Sequence, residues 1–407
     1  MSAVAARGRL NPLHRLWRAF PARERRALLA RGTALLAPRP AATPLDPGGG
    51  LIVAGELSRA SGLGEVARLM LAGAAQLGVP CWKLDTGTAI DTRSVSLPAD
   101  APASAPLLIH VNAPFLPLAL LKLPRRLLGK RRVIGYWAWE LPVAPEGWRA
   151  GVPFVHEAWV LSHFTAAAIE PLLPGRVRVV TPPVAAAPPA PSSLGRADFG
   201  LPPDSVVVLA SFSLASSFAR KNPLGAIAAF RAAFGDRPDR LLVLKVGNPG
   251  DFPAEFRVIA QAVAGAANIR LETRTLPAAD SHALTAAADI ILSLHRSEGF
   301  GLVPAEAMLL GRAVVATGWS GNMDFMTAEN AVPVGYRLVP AADPRAVFEA
   351  EGAVWAEPDL QEAAEALRRL ADDRQLRVAL GGAAREAAAR RLGAGSLRDG
   401  LRALRLL

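Results

Sequence analysis

Short apolar segments recur along this chain, each followed by a stretch of helical periodicity, and this alternation limits the fold more than any other feature. Residues 51–54 read as a buried strand, and 64–77 as a helix with apolar residues at Val66, Leu69, Met70 and Leu77. Further apolar strands are expected at 106–111, 132–137, 158–161 and 177–180. The stretch 184–203, VAAAPPAPSSLGRADFGLPP, is dense in Pro, Ala and Ser and reads as a linker. A second run follows with strands expected at 206–211, 241–246, 288–294 and 313–317, turning helical from Pro358 onward. Such alternation implies parallel sheets with helices on their faces. The expected fold class is α/β, with two doubly wound, Rossmann-like domains and a ligand in the cleft between them. The boundaries fall at 1–44 (a basic N-terminal extension), 45–185 (first domain), 186–203 (linker), 204–385 (second domain) and 386–407 (a C-terminal helix).

The 407 residues suffice for two such cores, and 51% apolar with 20% charged residues argues against disorder. No apolar run reaches the roughly 18–20 residues of a spanning helix; the longest, 115–121, is stopped by Lys122. The arginine-studded N-terminus has no apolar block before a cleavage site, so no secretory signal is expected. Cys81 is the only cysteine, and no Cys/His cluster points to zinc. A secreted disulfide scaffold, a membrane channel and a zinc protein are thereby disfavoured, and a cytoplasmic protein is expected.

The net charge of +11 is unevenly spread: residues 1–40 hold nine arginines against Glu24 alone. Only five lysines occur, so a lysine inside a motif carries more information than an arginine. LKLPRRLLGKRR at 121–132 sets six positive charges beside the apolar FLPLALL, which reads as a contact with an anionic membrane surface or as a solvated face. Regular aromatic interleaving is missing, so no nucleic-acid partner is expected.

The sharpest signal is 288–321, ADIILSLHRSEGFGLVPAEAMLLGRAVVATGWSG. A strand runs to Leu294, a loop carries Glu298, Gly299, Phe300 and Gly301, and Pro304 opens a short helix that Gly311 stops. This places Glu306 in the helix's first turn. Such a loop lies at the carboxyl end of a sheet, where glycines let backbone N–H groups approach a phosphate and the helix start adds a favourable dipole. Carboxylates flanking that point suit sugar and ribose hydroxyls.

These residues resemble the paired-glutamate motif, EGFGLVPAE, of retaining glycosyltransferases of the GT-B fold, glycosyltransferase family 4 in particular. The resemblance implies that Glu298 contacts the donor sugar, Glu306 the nucleotide ribose, and the Gly299 to Leu302 backbone the diphosphate. SFSLASSFARKNPLGAIAAF is similar to the family's basic motif, which implies that Arg220 and Lys221 neutralise the leaving diphosphate. The two cations are adjacent here rather than separated, which leaves open which of them faces the phosphates. ELSRASGLGEVAR resembles the Gly-rich loop of the first domain, with Gly62 and Gly64 approaching the donor from across the cleft. TGWSGNMDFM resembles the loop that closes over the donor, with Gly321 and Asn322 contributing. On the acceptor side the family often carries a catalytically useful His; His110 is the nearest substitute by position, with Trp137 and Glu140 beside it. The C-terminal helix resembles the tail that crosses back to brace the first domain.

The implied activity is metal-independent, cofactor-free transfer of a sugar from a nucleoside-diphosphate sugar to a hydroxyl acceptor. The setting would be bacterial polysaccharide or glycolipid assembly, with a lipid-linked saccharide acceptor at the inner face of the membrane. Two alternatives stand beside it. GLGEVA with Asp85 loosely fits a dinucleotide fingerprint and an NAD-dependent oxidoreductase, although a Rossmann turn follows its strand at once. A non-catalytic basic binding protein would rest on residues 1–40.

Overall fold

The computed structural model describes residues 22–59, 61–88, 95–96 and 99–407. Two six-stranded parallel sheets form it. The first contains β1 (Leu51–Gly55), β2 (Cys81–Asp85), β3 (Leu107–Ile109), β4 (Val133–Trp137), β5 (Glu157–Val160) and β6 (Val177–Val179), in the order β2-β1-β3-β4-β5-β6. The second contains β7 (Val206–Ser213), β8 (Arg240–Gly247), β9 (Ile269–Glu272), β10 (Ile290–Ser293), β11 (Ala313–Thr317) and β12 (Val332–Val334), in the order β12-β11-β10-β7-β8-β9. The architecture is the expected pair of doubly wound domains facing a cleft. Central strands such as β1, LIVAG, are buried at every residue, as a sheet covered by helices on both faces requires.

The strands that sequence reading misses lie mostly at sheet edges. β2 (CWKLD) and β9 (IRLE) carry charges because one side of each faces water, so neither presents an apolar run. Also unanticipated is an antiparallel hairpin of β13 (Tyr336–Pro340) and β14 (Val354–Pro358), which carries the loop 341–353.

Three helices follow β14: Leu360–Asp372, Arg374–Arg391 and Gly395–Ala403. The last packs on the first domain. Ser396 Oγ accepts the Thr181 N–H at 3.0 Å, and Gly400 has no room for a side chain beyond ordinary contact, since the Trp159 ring lies 3.2 Å from where its Cβ would be.

Within the basic extension, Ala22–Leu36 is helical and packs on the helix Leu116–Leu121; the part before residue 22 lies outside the described residues. No described helix is long and apolar enough to cross a membrane. The segment 121–132 is less free than its sequence implies. Lys122 Nζ donates to the carbonyls of Thr86 (3.0 Å) and Thr88 (2.5 Å). Arg131 is buried and donates to the Ala105 carbonyl at 2.9 Å, while Arg132 lies 4.0 Å from Glu157. These three cations are bound within the fold rather than spread on a solvated face.

Candidate active site

A cleft of about 530 Å³ opens between the two domains at the carboxyl ends of their strands. The first domain contributes Glu56, Ser61, Gly62 and Glu140; the second contributes Arg220, Lys221, Lys245 and the run from Glu298 to Pro304. Local sequence explains how these are held. Ser61 caps the helix Gly62–Gln76 by accepting the Gly64 N–H at 3.1 Å, which turns the Gly-rich loop toward the cleft. Asn222, at φ +51°, caps Pro223–Phe234 through the Gly225 N–H (3.2 Å) and donates to the Leu294 carbonyl (2.9 Å). That tie joins the loop after β7 to the loop after β10.

Arg220, Lys221 and Glu298 form one buried cluster. Arg220 Nη1 lies 3.1 Å from Glu298 Oε2, and the Lys221 ammonium donates to Glu298 Oε1. Arg220 also donates to the Ser297 carbonyl (2.7 Å) and the Ser216 carbonyl (2.9 Å), and is 2% exposed. Glu140 comes within 3.9 Å of the same guanidinium from the first domain. Burial alone would raise the Glu298 carboxyl, but Lys221 and Arg220 outweigh it and hold Glu298 down at about 2. Burial lowers Lys221, partly offset by Glu298, and raises Glu140, partly offset by Arg220.

The loop carrying Glu298 is fixed from below. Its N–H donates to Ser320 Oγ at 2.8 Å, and its carbonyl accepts the Gly321 N–H at 2.9 Å. A Cβ at Gly321 would collide with the Gly299 carbonyl, so this position admits only glycine. Gly301 sits at φ +97° and starts the helix Leu302–Leu309 without a side-chain cap. The first domain touches the loop directly: Ser162 Oγ donates to the Gly299 carbonyl at 2.6 Å, and Ser297 Oγ donates to the Glu140 carbonyl.

Glu306 falls in the second turn of Leu302–Leu309, not the first, because the helix begins two residues before Pro304. Its carboxylate has no hydrogen-bond or ion-pair partner among the described residues. Glu306 is not among the residues that line the cleft; burial, reinforced by the Glu65 carboxylate on the helix Gly62–Gln76, lifts it to about 7.

Several expected residues stand elsewhere. His110 is fully buried and stacks on Tyr136 at 4.5 Å; neither ring nitrogen has a partner among the described residues, and burial lowers it to about 3. Trp137 is also fully buried, edge-on to Trp148 at 5.9 Å. Both belong to the core rather than to the cleft wall. A strand end can point to either face, and here it points inward. Gly64, Gly321 and Asn322 shape the loops without lining the cleft. Asn322 donates to the Thr317 carbonyl at 3.0 Å and takes His295 Nε2 at 3.0 Å on its Oδ1, so His295 bridges to Ser293 at 2.9 Å through Nδ1. By contrast Gly62, Gly299, Phe300, Gly301, Leu302 and Glu140 all line the cleft, together with Glu56, Ser61 and Lys245, which the motifs do not single out. Among the described residues no three His, Cys, Asp or Glu side chains cluster to hold a metal ion.

Comparison with known proteins bears on what such a cleft does. Residues 208–387 match the family model of glycosyl transferases group 1. No curated protein sequence matches. Anabaena Alr3699/HepE, solved with UDP and glucose, is similar in structure at a TM-score of 0.60 and 16% identity, over 88% of this chain and 100% of that one. A glycosyltransferase from Rickettsia africae gives a TM-score of 0.61 at 12% identity, over 89% and 98%. Against TarM of S. aureus, solved with UDP and α-GlcNAc-glycerol, the TM-score is 0.52 at 12% identity; this chain spans 55% of that one, using 74% of its own length.

Proposed function

We propose that this glycosyltransferase, whose residues 208–387 form its group 1 domain, moves a sugar from a nucleoside-diphosphate sugar to a hydroxyl acceptor with retention of configuration and without a protein-bound metal. The observation that carries the reading is the pairing of Arg220 and Lys221, on the short helix Phe218–Lys221, with Glu298 on the glycine-rich loop before Leu302–Leu309, facing a cleft shared by two domains.

Glu298 is ionised and accepts hydrogen bonds, which suits it to sugar hydroxyls. Lys221, more exposed than Arg220 (18% against 3% of the side chain), is the cation that reaches the diphosphate, while Arg220 anchors Glu298. The N–H of Leu302 and the helix dipole add to the neutralisation of the leaving group. Glu306 takes the ribose hydroxyls. Front-face attack, with the leaving phosphate accepting the acceptor proton, needs no protein general base, and Glu140 stands on the acceptor side of the cluster.

The acceptor belongs to polysaccharide or glycolipid assembly. Exposed Leu28, Leu35, Leu36 and Leu121, beside the exposed Arg31, Arg125 and Lys130, support peripheral contact with an anionic membrane and hence a lipid-linked acceptor at its cytoplasmic face.

The test is thermal-shift titration with UDP, GDP, ADP and NAD, with a Glu306→Ala variant alongside. Stabilisation by one nucleoside diphosphate, weakened in the variant, is the expected result. Stabilisation by NAD alone would overturn the proposal in favour of an oxidoreductase.

A further inference from the structure

The hairpin β13–β14 sends its loop, 341–353, away from the second sheet and onto the first domain. Phe348, in the middle of that loop, is 7% exposed and sits in the first domain's apolar cluster with Trp137, Trp139 and Trp148. One face of its ring stacks on Trp139, centroids 5.7 Å apart at 28°. The Arg220 guanidinium lies over the ring, 4.7 Å from its centroid. Arg220 and Trp139 belong to different domains, and Phe348 touches both.

The loop is held where this contact requires. Asp343 accepts the Val347 and Phe348 N–H groups on Oδ2 (2.9 and 3.1 Å) and the Ser217 hydroxyl on Oδ1 (3.0 Å). Arg296 joins the hairpin to both catalytic loops. It donates to Glu357 of β14 (2.6 and 3.0 Å) and to the Ala219 carbonyl (2.5 Å), and its backbone N–H donates to the Arg220 carbonyl (2.7 Å). The Arg220 Nε is buried without a partner among the described residues, so their hydrogen bonds leave one guanidinium N–H unused. A ring face supplies attraction to a planar cation without needing a further acceptor.

We propose that Phe348 is a positioning residue of the transfer site: stacked on Trp139 of the first domain, it holds the Arg220 guanidinium in place against Glu298. It acts on the sugar through Arg220 and Glu298 and does not touch the nucleotide. This rests on the transferase reading given above.

The test compares Phe348→Leu and Phe348→Tyr with wild type, using whichever of UDP-glucose, GDP-mannose and ADP-glucose the wild type turns over fastest. Phe348→Leu should lower kcat about tenfold while KM for the nucleotide sugar stays within twofold. Phe348→Tyr, which restores the ring, should recover kcat to within threefold of wild type. In an Arg220→Lys background, where the planar cation is gone, Phe348→Leu should cost no more than twofold further. An unchanged kcat in Phe348→Leu, a loss that Phe348→Tyr does not restore, or the same tenfold loss in both backgrounds overturns the positioning role while the transferase reading stands. A wild type that turns over none of the three donors and binds none of their nucleoside diphosphates contradicts the transferase reading, and this proposal with it.

Discussion

Arg220 Nη1 meets Glu298 Oε2 at 3.1 Å in a site where the arginine is 2% and the glutamate 9% exposed. A carboxylate this buried would favour its neutral form, yet the pairing with Arg220 and Lys221 keeps it charged. Under the proposed function a donor diphosphate would compete with Glu298 for the Lys221 ammonium, whereas Arg220 is tied also to two backbone carbonyls.

Glu298→Gln separates these roles. It removes the charge that holds Lys221 and weakens the grip on sugar hydroxyls. UDP, or whichever nucleoside diphosphate the protein binds, should bind at least as tightly as to wild type by calorimetry, while nucleotide-sugar turnover falls about 100-fold or more. Parallel losses in binding and turnover would assign Glu298 to the nucleotide instead.

Glu306 sets a pH dependence. Its folded pKa is raised to about 7 by burial and by Glu65. Under the proposed role of Glu306, ribose hydroxyls would donate to its ionised form, so nucleotide affinity should rise from pH 6 to 8. The raised value also means that the folded state is progressively disfavoured as pH climbs from the ordinary carboxylate range through 7. Glu306→Gln should accordingly flatten the affinity profile and gain thermal stability over wild type as pH rises from 5 to 8.

His110 titrates the other way. Its folded pKa is lowered to about 3 by burial, so the stability it contributes is present above its ordinary value near 6.5 and is lost as pH falls toward 3. His110→Phe keeps the stack on Tyr136 and removes two nitrogens that have no partner among the described residues. The variant should match or exceed wild type in melting temperature, lose less stability on going from pH 7 to 5, and keep turnover within about threefold.

Ser162 joins the domains. Its hydroxyl donates to the Gly299 carbonyl at 2.6 Å and accepts the Thr165 N–H at 3.1 Å as a helix cap. Ser162→Ala should cost about 1–2 kcal/mol in chemical denaturation, the combined loss of a cap and of a buried hydrogen bond.

The central strands and the Glu298 loop are legible in the sequence because their residue types follow from local demands. A strand covered on both faces must be apolar throughout, and Gly301 at φ +97° and Gly321 against the Gly299 carbonyl admit nothing larger. Edge strands β2 and β9 are hidden by their half-exposed faces. The direction of a strand-end side chain is equally hidden, which is why His110 and Trp137 read as cleft residues and prove to be core. Phe348 could not be read at all: its partners, Trp139 and Arg220, lie far away in sequence, and only the hairpin brings the three together. The helix register around Pro304 shifts by two residues for a related reason. Gly301, in a left-handed conformation, takes the cap position and starts the helix before the proline.

The most direct test of the account is release of nucleoside diphosphate from UDP-, GDP- and ADP-sugars by the wild-type protein and by Lys221→Ala. The wild type should turn over at least one donor, and the variant should lose about 100-fold. No turnover of any donor, or full activity in Lys221→Ala, would contradict it.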